Sequence, residues 1–188
     1  MEQIEQQKKK SVLRDFVEAF IIALLIALPI KYFIASPFIV RQTSMFPTFK
    51  DGDYLIVDKL TYKFNSPKRD DIVVFKPPFD EGTYFIKRII GLPGETVIVE
   101  GSNVTIKNTE NPDGFKLSEP YISSERGDSL VVTLDSDSYF VMGDNRSVSS
   151  DSRNWGPLKA NYISGRALLR LFPLKDIDYM PGKESTFN

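Results

Sequence analysis

The chain has 188 residues, 41% of them hydrophobic, enough for one core of ordinary size plus an appendage. Twenty-four Lys and Arg against 25 Asp and Glu give a net charge of −1, so no general basic field draws in nucleic acid. Cysteine and histidine are both missing, which excludes disulfides, thiol nucleophiles and thiolate or imidazole metal sites. Hydroxyl, carboxylate, lysine and arginine chemistry remain, and neither a metal nor a cofactor is expected.

Lys8, Lys9, Lys10 and Arg14 lie in the first 15 residues, ahead of FVEAFIIALLIALPIKYFIASPFIV, Phe16 to Val40. Only Glu18 and Lys31 interrupt that run. A helix of about 20 residues crosses the hydrocarbon layer of a bilayer. Residues 16–40 are therefore expected to form a membrane anchor behind a cytoplasmic N-terminus, 1–15. Because the uncharged part, Ala19 to Ile30, is only 12 residues long, Glu18 and Lys31 must lie near the two interfaces.

Three other readings compete. A cleavable signal peptide would place Phe33 where a small residue is wanted before a cut after Ala35. A buried soluble helix suits an apolar run of this length. A surface-lying amphipathic helix suits it less, since Ile21 to Leu28 is apolar on every face. The cation excess ahead of the run orients the N-terminus inward. Residues 41–188 then form an extracytoplasmic domain at the plasma (inner) membrane.

Next comes RQTSMFPT, Arg41 to Thr48, with one serine set between bulky apolar residues. As a nucleophile, Ser44 needs a neighbouring group that is neutral at working pH to take its proton. In a chain without histidine the best candidate is a lysine of lowered pKa.

After Gly52 the pattern shortens to strand-like runs: YLIVDKL, DIVVFK, YFIKRII, TVIVE, NVTIK, SLVVTL, SYFVMG and RALLRLF. Turn-rich stretches such as KPPFDEGT, GLPGE and NPDG separate them. Many short strands predict a mostly β fold, an antiparallel sandwich or partly closed barrel. A small inserted β-subdomain is expected from about 95 to 137, with Glu119 to Asp128 as an exposed loop within it.

Two stretches carry chemistry. In YFIKRIIG, extended geometry puts Tyr84, Ile86, Arg88 and Ile90 on one face and Phe85, Lys87 and Ile89 on the other. Each cation shares its face with large hydrophobes. A buried arginine stays charged, whereas a buried lysine loses its proton and becomes a base at a pKa of roughly 7 to 8. Lys87 is thus the candidate base, unless the strand is an edge and both cations reach water. GDNRSVSSDSRNWG, Gly143 to Gly156, is either a polar loop held by Asx-turns and an ion pair, or a source of hydroxyls that orient the lysine amine.

Together these residues resemble the type I signal peptidases, membrane-anchored Ser/Lys endopeptidases that remove signal peptides from exported preproteins. The resemblance rests on the anchor, SMFPT, GDYLIVDK, RDDIVVFKPP with YFIKRIIGLPGE, and GDNRSVSSDSRNWGPL, in that order along the chain. It implies that Ser44 is the acylating serine, Lys87 the general base and Ser149 the hydroxyl that positions the amine. Asp151 and Arg153 match a supporting ion pair. The Ser44 backbone N–H is implied as one oxyanion-hole donor, and Gln42 stands where well-known members have a serine as the second. A shallow apolar groove taking small residues at P1 and P3 is implied as well, with Phe38, Val40, Met45 and Ile86 as candidate walls. The implied partners are exported preproteins and the lipid bilayer. Rival readings are a self-cleaving repressor protease and a non-catalytic β-domain that binds peptides by strand addition.

Overall fold

The computed structural model describes residues 2–77, 79–80, 82–122, 124 and 126–182. Helix α1 spans Glu2–Pro29 and continues as a wider turn over Ile30–Ile34. Its segment Arg14–Ile34 is 21 residues long, apolar enough to cross a membrane, and covered by no other part of the protein. The apolar run does not stay helical to Val40. Ala35 is extended, and Ala35–Ile39 forms strand β1. The cause is local, because Pro37 disfavours a helical Ser36 and supplies no N–H of its own. Ser36 Oγ then donates to Lys31 O at 2.7 Å, satisfying one carbonyl that the helix end leaves open.

Strand β1 pairs antiparallel with β2 (Tyr54–Asp58) and with no other strand among the described residues, so the missing N–H of Pro37 costs no ladder bond. Beyond β2 the main sheet holds β3 (Ile72–Phe75) and β4 (Phe85–Gly91). Four strands then pair only with one another, in the order β7 (Phe115–Lys116), β6 (Asn103–Lys107), β5 (Thr96–Glu100) and β8 (Ser129–Thr133). The chain returns to the main sheet as β9 (Ser138–Met142), β10 (Leu158–Lys159), β11 (Ile163–Phe172) and β12 (Asp178–Tyr179). The main sheet runs β1-β2-β11-β3-β4-β9-β10, with β12 added beside β11. Every strand pair is antiparallel, and the fold is mostly β, as the residue pattern predicts.

Period-two patterning decides what is buried. In β5 and β6 only alternate residues, Val97, Val99, Val104 and Ile106, are enclosed, and they pack against Ile90, Phe140 and Met142 of the main sheet. β3, in contrast, is apolar throughout and buried on both faces. Ile72 joins Val40, Met45, Phe49, Leu55 and Ala167 on one side, while Val73 and Phe75 join Ile89, Val141 and Leu158 on the other. β4 lies beside β3, which puts the middle of YFIKRIIG inside the molecule and not at an edge.

Candidate active site

Ser44 sits in a turn that leaves β1 and is pinned from below. Met45 and Phe49 are fully buried, and the Phe49 N–H donates to Met45 O at 2.9 Å. Met45 is therefore a core residue and not a groove wall. With Val40 before it and Met45 after it fixed in the core, the serine between them lines the groove.

Lys87 lies opposite Val73 in the middle of the sheet and is only 3% exposed. Its Nζ is 2.9 Å from Ser44 Oγ and also donates to Ile86 O at 2.9 Å. Burial lowers the pKa of the amine to about 8, against the opposing pull of the Asp151 and Asp144 charges. A base is thus held within proton-transfer distance of the hydroxyl.

The loop from Gly143 completes the site. Asp151 is buried and accepts the Gly143 N–H at 3.0 Å and Arg153 Nε at 2.8 Å. Burial pushes this carboxyl up, but the Arg153 guanidinium and the backbone N–H outweigh it and hold the group below the usual carboxylate range. Asp151 also caps the single-turn helix α2 (Ser152–Trp155) by accepting the Arg153 N–H. Ser149 is 2% exposed, and its nearness helps keep Asp151 ionised. Its Oγ nonetheless has no partner in hydrogen-bonding geometry among the described residues. The Lys87 amine is held instead by Ser44 and Ile86 O.

Gly143 explains how these parts fit together. A Cβ there would stand 2.3 Å from Ser149 Oγ and 2.4 Å from Ser44 O, so only glycine lets the loop approach this closely. Gln42 has a φ of 73° and its backbone N–H donates to Asp51 Oδ1 at 2.8 Å, which leaves only the side-chain amide for any other partner.

Some residues that position the site are not evident from local pattern. Arg88, on the strand beside Lys87, forms a fully buried ion pair with Asp144, Nη2 to Oδ2 at 2.7 Å. Asn145 holds the serine turn: its N–H donates to Ser44 O at 3.0 Å and its Nδ2 to Thr43 O at 3.1 Å. A ladder of such polar contacts carries no sequence periodicity. The only hint is that two acidic and two basic residues stand among small ones in a stretch following a buried strand.

Beside Ser44 runs a groove of about 360 Å³ lined by Phe38, Val40, Leu55, Val74, Tyr84 and Ile86. Gln42, Val148 and Ser150 stand at it too. Phe38 and Tyr84 meet edge to face with ring centres 5.0 Å apart, bringing the β1 and β4 sides of the groove into contact.

Comparison with known proteins gives the same direction. A family model described as signal peptidase, peptidase S26, matches residues 13–172. The chain is 39% identical over 182 residues to a signal peptidase I of Leptolyngbya laminosa, covering 90% of this chain and 84% of the relative. It is 36% identical over 189 residues to a signal peptidase I of Bacillus licheniformis, covering 94% and 98%. A solved signal peptidase I from Enterococcus faecalis shares 32% identity with a TM-score of 0.45, over 54% of this chain and 97% of that one. A match running through both the serine turn and the lysine strand, with relatives aligned over nearly their whole length, means that the chain belongs to the signal peptidase family, peptidase S26, and is a serine endopeptidase.

Proposed function

We propose that this peptidase is a single-pass membrane protein that cleaves signal peptides from exported preproteins by a Ser44/Lys87 dyad. One observation carries the reading: a lysine amine that is 3% exposed lies 2.9 Å from a serine hydroxyl on the wall of an apolar groove. Neutral Lys87 takes the Ser44 proton, and the oxygen attacks the carbonyl after a small P1 residue. The ammonium then gives its proton to the leaving amine, forming an acyl-enzyme. Water, deprotonated by the same amine, releases the signal peptide.

Ser44 and Gln42 both line the groove, which supports the Ser44 N–H as one oxyanion donor and the Gln42 side-chain amide as the second. Asp151 and Arg153 fix the loop, and Ser149 borders the amine. The narrow apolar groove favours small side chains at P1 and P3. On this reading residues 1–15 are cytoplasmic, the span ends at Ile34, and the remainder is the extracytoplasmic catalytic domain, with about 95–137 as its inserted β-subdomain. Holding both enzyme and preprotein in one membrane plane raises their effective concentration. Purified Ser44→Ala and Lys87→Ala variants, assayed for preprotein processing in detergent or vesicles, are expected to be inactive. Substantial processing by either would refute the dyad.

A further inference from the structure

Within 119–128, expected as an exposed loop, Glu119, Ser124 and Asp128 bind the loop that carries Ser149 and Asp151, and Tyr121 binds Arg88 of β4. The Arg146 guanidinium, with a side chain 4% exposed, donates to Glu119 Oε1 at 2.5 Å and Oε2 at 3.3 Å, while its Nε holds Gly143 O at 3.0 Å. Tyr121 lies under the Arg88 guanidinium, 3.7 Å from its ring centre, and donates to Glu119 Oε1 at 3.0 Å. Ser124 Oγ donates to Asn145 Oδ1 at 2.5 Å and accepts from Ser147 Oγ at 3.0 Å. Asp128 Oδ2 accepts from Arg153 Nη1 at 2.7 Å, so the arginine that binds Asp151 also binds this segment.

Both ends of the segment are fastened to the small sheet. The Leu117 N–H donates to Val104 O and the Gly101 N–H donates to Asp128 O, each at 2.8 Å. The partners it grips act in turn on the reacting pair. Asn145 holds the carbonyls of Thr43 and Ser44, Arg146 holds Gly143, and Gly143 abuts Ser44 O and Ser149 Oγ.

We infer that the 119–128 segment is a strap through which the small sheet fixes the active-site loop, and that Glu119, Ser124 and Asp128 are positioning residues for the Ser44–Lys87 pair. The inference rests on the dyad reading above. A loosened strap lets the 143–153 loop lift from Lys87, and the amine regains water. The charged groups around that amine are Asp144, paired with Arg88, and Asp151, paired with Arg153, with Arg41 on the same groove wall. Solvation removes the cause that lowers the pKa of the amine, so the neutral share of the enzyme at a given pH falls.

The test uses the full-length enzyme with Asp128→Asn, which removes the ion pairs of Asp128 with Arg153 and Arg126, and Ser124→Ala, which leaves every ion pair of the strap in place. Asp137→Asn, at an exposed pair with Lys159, is the control. Measured against pH, the strap variants are expected to lose about tenfold to a hundredfold in kcat, with little change in KM. The acid limb of their profiles should move to higher pH, and Asp128→Glu should restore much of the loss. The control should match the parent. Unchanged kcat and acid limb in both strap variants would overturn the inference, as would losses that only follow a fall in Tm. If instead Ser44→Ala or Lys87→Ala retains activity, it is the dyad reading that fails, which keeps the two failures separate.

Discussion

At the residue scale, the catalytic role proposed for Lys87 and the stability of the fold make opposite demands on it. Its folded-state pKa of about 8 lies below the ordinary 10.5, so the cost of charging it is absent above about 10.5, builds as pH falls toward 8 and is complete below that. Lys87→Met, which keeps the apolar stem without the amine, is expected to abolish processing yet raise stability by up to about 3 kcal/mol at pH 7. The gain should shrink at pH 10, as denaturant titrations at the two pH values will show. In the parent, kcat/KM is expected to rise about tenfold per pH unit up to about pH 8 and then level off. With no histidine in the chain, few other groups titrate across that limb. Lys87 was legible in the sequence as a cation sharing a strand face with large hydrophobes, whereas its burial was not, since only pairing with β3 and β9 shows that the strand is central. Gln42 was legible only as a departure from a family pattern, since nothing local reveals that Asp51 takes its N–H.

Among elements, the loop after β9 does the most with the least secondary structure. Gly143→Ala is expected to reduce kcat at least tenfold while the fold survives, because the new methyl group presses on Ser149 Oγ and Ser44 O. Circular dichroism with single-turnover kinetics will separate the two effects. Asp144→Asn leaves Arg88 charged and buried at 1% side-chain exposure, so it should destabilise the protein by about 3–5 kcal/mol in urea unfolding. Strands were read well wherever β-branched runs alternate or stay apolar between turn residues, as in β2 to β6, β8, β9 and β11. β1 was not. ASPFI continues an apolar stretch in which Pro37 marks only where a helix must stop, and pairing with β2 makes it a strand. The two-residue strands β7, β10 and β12 are too short to show any period. The 119–128 segment looked like a solvated loop because its Ser, Glu and Gly content is that of one. Its partners lie 21 to 33 residues away, from Asn145 for Ser124 to Arg88 for Tyr121, beyond the reach of a local pattern.

For the whole molecule, the anchor and the enzyme are joined by a single short strand. Removing residues 1–30 is expected to leave the β-domain folded and able to cut a soluble peptide, while processing of membrane-inserted preprotein falls by roughly a hundredfold from lost co-localisation. Vesicle and solution assays run side by side will measure the ratio. The connection has a further consequence. β1 has five residues and Ser44 follows five residues later, so the nucleophile can stand no farther from the helix end than an extended chain allows. The five residues of β1 alone span about 17 Å. Because β1 is hydrogen-bonded to β2, that length is fixed and not averaged over a flexible tether. With the helix as the span, the enzyme works at one altitude above the bilayer. It measures its substrates by the length of chain between their own apolar segment and the bond to be cut, and a preprotein whose spacer is too short to reach that altitude escapes cleavage whatever its side chains.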